Sequence, residues 1–316
     1  MIPQYLDKQS IASLLPMQEC ISVMERMFRS LAAGECLQPL RSLMWLPDKS
    51  GLLGMMPGYT GSREILGIKV ITIFHANHAL GLPSHQGIVI LFDAKQGTPI
   101  LLLDAATITA IRTAAASAVA TRLLAREDAT RLAILGTGEQ AEQHAQAIAL
   151  VRPLTAITIW GRNEMHAENL ALKLNGTHKI HIATSVQEAV EDADIICTVT
   201  SSPQPVLMGE WIPPGVHINA VGSCTPVTRE LDTQAVVRSK IYTDRYESLF
   251  KEAGEFLIPK NEGFLNESAV QGEIGEVLAG TKPGRGNAAE ITLFKSLGIA
   301  AEDLFAAHHI YEQLRL

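Results

Sequence analysis

The sequence predicts an α/β protein of two domains, in which a doubly wound parallel sheet accompanies a second α+β domain. The chain has 316 residues, about twice the length of a typical domain. Short β-rich runs fill residues 40 to 103, whereas strands alternate with helices beyond residue 105, which is the pattern of a parallel sheet. These observations place the α+β domain first in the chain and the parallel sheet second.

The composition is that of an ordinary globular protein. Hydrophobic residues make up 47% of the chain and charged residues 19%, which is enough apolar surface for a sizeable core. The net charge is −7 and no run of basic residues occurs, so nucleic acid is not favoured as a partner. The N-terminus lacks an apolar signal segment, and the apolar runs fall far short of the ~18 residues of a membrane span. We therefore expect neither export nor membrane insertion.

The cysteines have neither CxxC nor metal-ligand spacing. They are Cys20, Cys36, Cys197 and Cys224. This scatter argues against a disulfide framework and against a metal site, and it favours the reducing cytoplasm.

The first domain begins with a predicted helix over residues 9 to 33, which Gly34 ends. Gly58–Gly61 is one of the clusters predicted to form turns between strands. The predicted strands are Leu40–Leu46, Leu52–Met56, Ile65–Phe74, Gly87–Phe92 and Pro99–Leu103. Ile291–Leu316 is predicted to be helical and to return to this domain, which gives domain bounds of 1–112 with 291–316, and 113–290.

The second domain follows an alanine-rich helix predicted over Ala105–Ala125. Its strands are predicted at Leu132–Leu135, Ile157–Trp160, Ile195–Thr200, His217–Val221 and Ile241–Thr243. Helical segments separate them, as right-handed βαβ units require.

A glycine motif follows the first strand of that sheet. Leu132–Leu135 leads into Gly136-Thr137-Gly138-Glu139-Gln140-Ala141 and then into a helix. In a Rossmann-type domain the first glycine allows the tight turn, the second lets pyrophosphate approach, and the alanine packs the helix. The sequence therefore predicts a dinucleotide site, although a glycine turn that merely joins strand to helix has the same pattern.

The second strand ends in Gly161-Arg162-Asn163, where an NAD site carries an acid for the ribose hydroxyls. Arg162 can pair with a 2′-phosphate, and Asn163 adds a hydrogen-bonding group, so NADPH is preferred and NADH remains possible. The alternative is that Arg162 is a solvated surface residue and Glu164 contributes to NAD binding.

Three cationic residues stand in apolar company. Lys69 shares a strand face with Ile71 and Ile73, and Arg112 lies on an alanine-lined helix face. Arg41 precedes Leu43 and Trp45 on one strand face. A buried ammonium needs a carboxylate from protein or ligand, or carries a lowered pKa. We expect these cations to hold an anionic ligand, although an internal ion pair or an edge-strand lysine reaching solvent has the same local pattern. The turn that holds His85 is a weaker candidate, because exposed turn histidines are common.

These segments resemble the ornithine cyclodeaminase/mu-crystallin family over nearly the whole chain. The matching stretches are Gly67-Ile68-Lys69, GLPSHQG at 81–87, IRTAAASAVAT at 111–121, LGTGEQA at 135–141, INAVG at 218–222, GEIGEV at 272–277 and FKSLG at 294–298. The likeness is greatest to the mu-crystallin branch, whose members are NADPH-dependent ketimine reductases. Other branches are cyclodeaminases, alanine dehydrogenases and opine-type dehydrogenases.

The resemblance implies a homodimer built on the N-terminal sheet domain and the final helix, which also form part of the substrate pocket. It assigns Lys69, Arg112 and Arg41 to the substrate carboxylate and to proton handling. Further pocket residues are Met56, His85, Glu247, Cys224 and Lys295. The implied cofactor neighbours are Ser84, His85, Thr113, Gly136, Thr137, Gly138, Glu139, Gln140, Arg162, Asn163, Thr198, Val199, Thr200, Val221, Gly222 and Ser223.

One departure bears on the reaction. Cyclodeaminases of the family place an aspartate shortly after the INAVG strand, whereas this chain has Cys224. We therefore expect an NAD(P)H-dependent reductase of cyclic or N-substituted α-imino acids. The alternatives are ornithine cyclodeaminase, alanine or opine-type dehydrogenase, and a non-catalytic NADPH-dependent binder of small ligands.

Overall fold

The computed structural model describes residues 3–61, 64–174, 176 and 178–315. The chain divides into two compact units: unit 1 is Met1–Thr113 with Gly298–Leu316, and unit 2 is Ala114–Leu297. The first boundary lies one residue beyond the predicted one. The second lies at 297/298 rather than 290/291.

The strands, in chain order, are β1 (Gln4–Leu6), β2 (Cys36–Leu37), β3 (Ser42–Trp45), β4 (Leu52–Thr60), β5 (Ile65–Ile73), β6 (His85–Asp93), β7 (Pro99–Asp104), β8 (Arg131–Leu135), β9 (Ala156–Trp160), β10 (Lys179–Ile182), β11 (Ile195–Thr198), β12 (His217–Ala220), β13 (Ser239–Thr243), β14 (Val270–Glu273) and β15 (Ile291–Lys295). The helices are α1 (Lys8–Leu14), α2 (Met17–Ala32), α3 (Ala105–Leu124), α4 (Glu139–Ala149), α5 (Glu164–Leu174), α6 (Val186–Val190), α7 (Thr233–Val237), α8 (Tyr246–Glu252), α9 (Gly254–Asn261), α10 (Ile274–Leu278) and α11 (Ala300–Gln313).

Unit 1 is built on a mostly antiparallel sheet in the order β1-β7-β6-β5-β4-β2, with β3 also paired to β4. Helix α11 contacts β4, β5 and β6 as well as α2. Helix α2 buries Cys20, Met24, Met27 and Phe28, which recur at helical spacing. The final helix therefore belongs to unit 1.

Unit 2 is an eight-stranded parallel sheet in the order β10-β9-β8-β11-β12-β15-β13-β14. The chain runs outward from β8 to β10 and then returns to the other side of β8 at β11. In such sheets ligands bind at this switch point, beyond the carboxyl ends of the strands. The predicted fold class, a doubly wound parallel sheet with a second α+β domain, is confirmed.

Three local predictions were wrong. The helix predicted over residues 9 to 33 is two helices, because Pro16 lacks the N–H that an uninterrupted helix would need. Ile291–Lys295 is not helical: it is a fully buried strand between β12 and β13, and a five-residue apolar run carries no period that separates strand from helix.

The predicted turn at Gly58–Gly61 is the third, because β4 continues through Thr60. Gly58 is there for close packing: a Cβ at this position would lie 3.0 Å from Leu304 and 3.2 Å from Ala300, both in unit 1. The glycine that suggested a turn instead admits helix α11 onto the sheet.

Candidate active site

Lys69 lies in the middle of β5, paired across the sheet with Met56 on β4 and Val89 on β6. Its side chain is 3% exposed. The ammonium Nζ lies 2.6 Å from Asp303 Oδ2 and donates to Thr109 Oγ1 at 3.4 Å. The predicted partner of this lysine is therefore present in the protein itself.

Arg112 lies on α3 and is also 3% exposed. Its Nε donates to Asp303 Oδ1 at 3.0 Å, and its Nη1 is bonded to Glu302. Both acids stand in the first turn of α11, where the positive end of the helix dipole stabilises carboxylates. We call Lys69, Arg112, Glu302 and Asp303 the unit 1 ion cluster.

This arrangement corrects the expectation that buried cations await an anionic ligand. Lys69 and Arg112 are both neutralised by carboxylates of the chain, because a charge removed from water needs a partner in the folded state with or without ligand. The Nε and Nη1 of Arg112 are occupied, so this residue does not offer its usual bidentate edge to a substrate.

Arg41 lies next to this cluster and is half-buried. Its Nη2 donates to the carbonyl of Gly298 at 3.0 Å. Gly298 has φ +71°, and a Cβ there would lie 2.7 Å from Arg112 Nη1, so only glycine fits between the two guanidiniums. Counted together with Arg41, the described cluster has three cations and two carboxylates.

The pKa of Lys69 is lowered to about 8, because burial and the charges of Arg112 and Arg41 together outweigh the opposing charge of Asp303. For Arg112, Asp303 and Glu302 outweigh burial and raise the pKa of the guanidinium. The pKa of Asp303 is lowered, because Arg112 and Lys69 outweigh the effect of its burial. Lys69 is thus a buried ammonium that can release a proton near neutral pH.

In unit 2 the glycine motif forms a cradle between β8 and α4. Gly136 has φ +131°, and a Cβ there would lie 2.7 Å from the Val199 carbonyl, so the turn requires glycine. Gly138 is the N-cap of α4 and makes no side-chain cap, and a Cβ there would meet open space. The open space at this helix N-terminus, together with the positive end of the helix dipole, fits the pyrophosphate of a dinucleotide.

Arg162 follows β9 and is exposed. It makes no hydrogen bond or ion pair within the part of the chain that the structure describes. Asn163 Oδ1 accepts from Met165 N at 3.0 Å and so caps α5, while its amide N–H groups can donate to a cofactor.

Glu230 joins the ends of β11 and β12. Its carboxylate accepts from Thr198 Oγ1 at 2.8 Å, from Thr200 N at 2.6 Å and from Gly222 N at 2.7 Å. A Cβ on Gly222 would lie 2.1 Å from the Thr200 carbonyl, so the two strand ends touch here. Burial raises the pKa of Glu230, although Lys295 opposes the shift.

Lys295 ends β15 and is 1% exposed. Its Nζ donates to the carbonyls of Ala220 at 3.2 Å and Ser223 at 2.5 Å, and lies 3.3 Å from Glu255 Oε2. Burial lowers the pKa of Lys295, but the negative charge of Glu255 outweighs burial, so the pKa of the ammonium is raised. These contacts fix the turn that leads to Cys224.

The other predicted residues are dispersed. Ser84 Oγ bonds His85 Nδ1 at 2.9 Å at the exposed start of β6. Glu247 is exposed and pairs with Arg245 at 3.0 Å. Thr113 is buried, and its hydroxyl has no hydrogen-bond partner among the described residues, so a ligand oxygen can satisfy it.

Sequence reasoning missed five acids that are buried among the described residues. They are Glu230, Asp244, Glu255, Glu302 and Asp303. A signal was available at the last two, because they interrupt the apolar run Ala300–Ala307 of α11, and an acid within an apolar helix face requires a partner.

No helix in the described ranges is long and apolar enough to cross a membrane. Among the same residues, no group of three His, Cys, Asp or Glu side chains is placed to hold a metal ion.

Nearly the whole chain is similar to known proteins. The sequence profile of the ornithine cyclodeaminase/mu-crystallin family matches residues 3–316. Ketimine reductase mu-crystallin of Mus musculus is 39% identical over 279 residues, covering 88% of this chain and 86% of that protein.

Two solved structures are similar throughout. One is Thermococcus litoralis Delta(1)-pyrroline-2-carboxylate reductase in complex with NADH and L-proline, with a TM-score of 0.95 and 37% identity over 98% of this chain and 97% of that one. The other is an archaeal alanine dehydrogenase dimer with bound NAD, with a TM-score of 0.93 and 29% identity over 100% of this chain and 97% of that one.

Proposed function

Because the chain belongs to the ornithine cyclodeaminase/mu-crystallin family, we propose that it is an NAD(P)H-dependent reductase of cyclic or N-substituted α-imino acids. The observation that carries the proposal is likeness to proteins named for imine reduction, at 39% identity over 88% of this chain and 37% over 98%. The reaction converts C=N to CH–NH and yields an α-amino acid.

The cradle of unit 2 fits a nicotinamide dinucleotide. The N–H groups at Gly138 and the start of α4 would hold the pyrophosphate, and the turns after β11 and β12 complete the edge of the sheet. The reduced nicotinamide, when bound, supplies the hydride that the imine carbon receives.

Unit 1 handles the carboxylate and the proton. Arg41 and the remaining N–H groups of Arg112 are the proposed carboxylate ligands, since the cluster with Arg41 has one more cation than carboxylates. As hydride adds to the imine carbon, the C=N π pair becomes a nitrogen lone pair, and Lys69 gives that nitrogen a proton. One hydride and one proton thus balance the reduction.

Cys224 favours reduction over deamination. The thiol stands where the cyclodeaminases of the family carry an aspartate, and its Sγ lies 3.7 Å from the Val221 carbonyl. Without a carboxylate at this position the chain lacks a base to activate an amine or water there.

For the cofactor we favour NADPH over NADH, because Arg162 is exposed at the end of β9 and residues 160–163 contain no acid. The neighbours with bound cofactor hold NADH or NAD, so the preference of this chain depends on Arg162 itself.

We also propose a homodimer formed through unit 1. Strand β3 is exposed along its whole length, with Leu43, Met44 and Trp45 exposed by 44%, 54% and 54%. A strand that is apolar and exposed on both faces is a typical interface. Sedimentation should show a dimer that Met44→Glu dissociates; a monomeric wild type would contradict the proposal.

The test of function is a substrate screen that follows NADPH oxidation. Five- and six-membered cyclic imines with a carboxylate should react about 100-fold faster than the same rings without one, because an unpaired buried cation site costs ~2–3 kcal/mol. Equal rates on both would contradict the carboxylate site. Ammonia release from ornithine without net NADPH oxidation would indicate a lyase, and binding without turnover a ligand-binding protein.

A further inference from the structure

We propose that Asp303 is a positioning residue for imine reduction, whose carboxylate keeps the Lys69 ammonium charged and fixes Arg112 beside it. The inference rests on the proposed function, in which Lys69 gives the proton. It adds a residue that touches neither substrate nor cofactor and acts through the two cations.

Asp303 is fully buried, and each of its oxygens faces a different cation: Oδ2 lies 2.6 Å from Lys69 Nζ, and Oδ1 accepts from Arg112 Nε at 3.0 Å. The lysine comes from β5 and the arginine from α3, so one carboxylate of α11 joins three elements of unit 1. Rotation of this carboxylate would break both contacts at once.

Glu302 is the neighbouring acid and provides a matched contrast. It too is fully buried in the first turn of α11, but it is bonded to Arg112. The largest charge effects on the pKa of Lys69 come from Asp303, Arg112 and Arg41, and Glu302 raises the pKa of Arg112. Two adjacent acids of equal burial thus differ in their contacts: Asp303 contacts both the lysine and the arginine, and Glu302 contacts the arginine.

Other titratable groups face the cluster from the remaining elements. Cys20 on α2 lies within range of Arg112 and Glu302, and burial raises the pKa of its thiol, so it stays neutral. Thr109 on α3 accepts from Lys69 and carries no charge. Arg41, which precedes β3, disfavours the ammonium, and Asp303 is the charge that favours it.

Activity that needs the Lys69 ammonium falls as pH rises through its pKa of about 8. In Asp303→Asn the favourable charge is lost while burial, Arg112 and Arg41 remain, so the pKa falls further. The alkaline limb of the pH profile should therefore move to lower pH.

The experiment compares kcat/KM against pH for the wild type, Asp303→Asn, Asp303→Glu and Glu302→Gln with one carboxylated cyclic imine. We expect the limb of Asp303→Asn to move down by about one unit or more. Asp303→Glu keeps the charge and should keep the limb, and Glu302→Gln should raise KM without moving it. Titration of the substrate is common to all variants and cancels.

Coincident limbs for the wild type and Asp303→Asn, or an equal movement in Glu302→Gln, would overturn the proposal. A purely structural acid would lower the rate without moving the limb.

Thermal unfolding of Lys69→Met, Asp303→Asn and the double variant provides a readout that needs no activity. If Asp303 acts through Lys69, Asp303→Asn should lower the Tm less in the Lys69→Met background than in the wild type. Where Asp303→Asn alone fails to fold, the double variant should still fold. Equal losses in both backgrounds would overturn the proposal. A wild type that reduces no imine defeats the proposed function, and the unfolding result still decides whether the two residues are coupled.

Discussion

Unit 1 and unit 2 each bury one lysine, and the two lysines behave in opposite ways. Lys69 is 3% exposed and Lys295 is 1% exposed. Burial lowers the pKa of Lys69 to about 8, whereas Glu255 outweighs burial and raises the pKa of Lys295. Equal burial therefore does not decide whether a lysine can exchange a proton.

The partners account for the difference. Lys69 shares Asp303 with Arg112, and with Arg41 nearby the surplus charge is positive. Lys295 has two main-chain carbonyls, Glu255 and the charge of Glu230 around it, so the surplus there is negative. A positive surplus suits an anionic substrate, and a negative one holds a cation in place.

Removing Lys69 should have the largest effect on turnover. In Lys69→Met the proton donor is lost while Arg112 still pairs with both acids, so kcat should fall by roughly 10²–10⁴-fold. Initial rates with a carboxylated cyclic imine measure this. Met is unbranched and nearly isosteric, so the dissociation constant of the dinucleotide should stay within a few-fold. A kcat near that of the wild type would remove Lys69 from the mechanism.

Removing Lys295 should instead cost stability. Lys295→Met leaves Glu255 and Glu230 buried without their cation, which typically costs ~3–5 kcal/mol. Denaturant unfolding measures the loss, and Lys240→Met, at an exposed lysine of the same sheet, is the control. If Lys295→Met proved as stable as the control but inactive, the two lysines would not differ as described.

Gly298→Ala should disturb the unit 1 cluster without removing a charge. The residue has φ +71°, and a Cβ would lie 2.7 Å from Arg112 Nη1. Gly34→Ala is the control, since Gly34 has φ +75° with nothing within 4 Å. Both should lose ~1–2 kcal/mol from backbone strain, and Gly298→Ala should also raise KM by displacing Arg112. An unchanged KM would show that the guanidinium adjusts freely.

The sequence predicted the class of each unit because periodicity and turns are local signals. The βα alternation beyond residue 105 and the family resemblance are confirmed by the parallel sheet and by the family match. The glycine motif at 136–141 lies between β8 and α4, and its role in dinucleotide binding stays a prediction. Strand β15 was missed because five apolar residues have no diagnostic period.

The ion partners could not be predicted, because they depend on tertiary contacts. Asp303 is 234 residues from Lys69 in the numbering, and no local pattern joins them. The apolar neighbours of Lys69 in the sequence predicted that its ammonium would need a partner. Whether that partner is a ligand or a protein carboxylate depends on how α11 packs on β5. The same is true of Lys295, which the sequence marked only through the family resemblance. The structure shows that the charges of Glu255 and Glu230 stabilise its buried ammonium.

Arg162 differs from both lysines, because no described residue of the chain neutralises it. Its replacement should have the smallest effect on activity of the variants considered. If it binds the 2′-phosphate of NADPH, Arg162→Gln should lower the ratio of kcat/KM for NADPH to that for NADH by about tenfold, or ~1.4 kcal/mol. Arg131→Gln is the control, because Arg131 is half-exposed on the same sheet and pairs with Asp192 at 3.1 Å. The activity with NADH should change little in either variant, since NADH has no 2′-phosphate for Arg162 to bind.

A ratio that stays constant would assign Arg162 to the solvated surface, and other groups at the end of β9 would then determine the choice of cofactor. A fall in the ratio would show that Arg162, which is exposed and has no partner among the described residues, selects between the two cofactors.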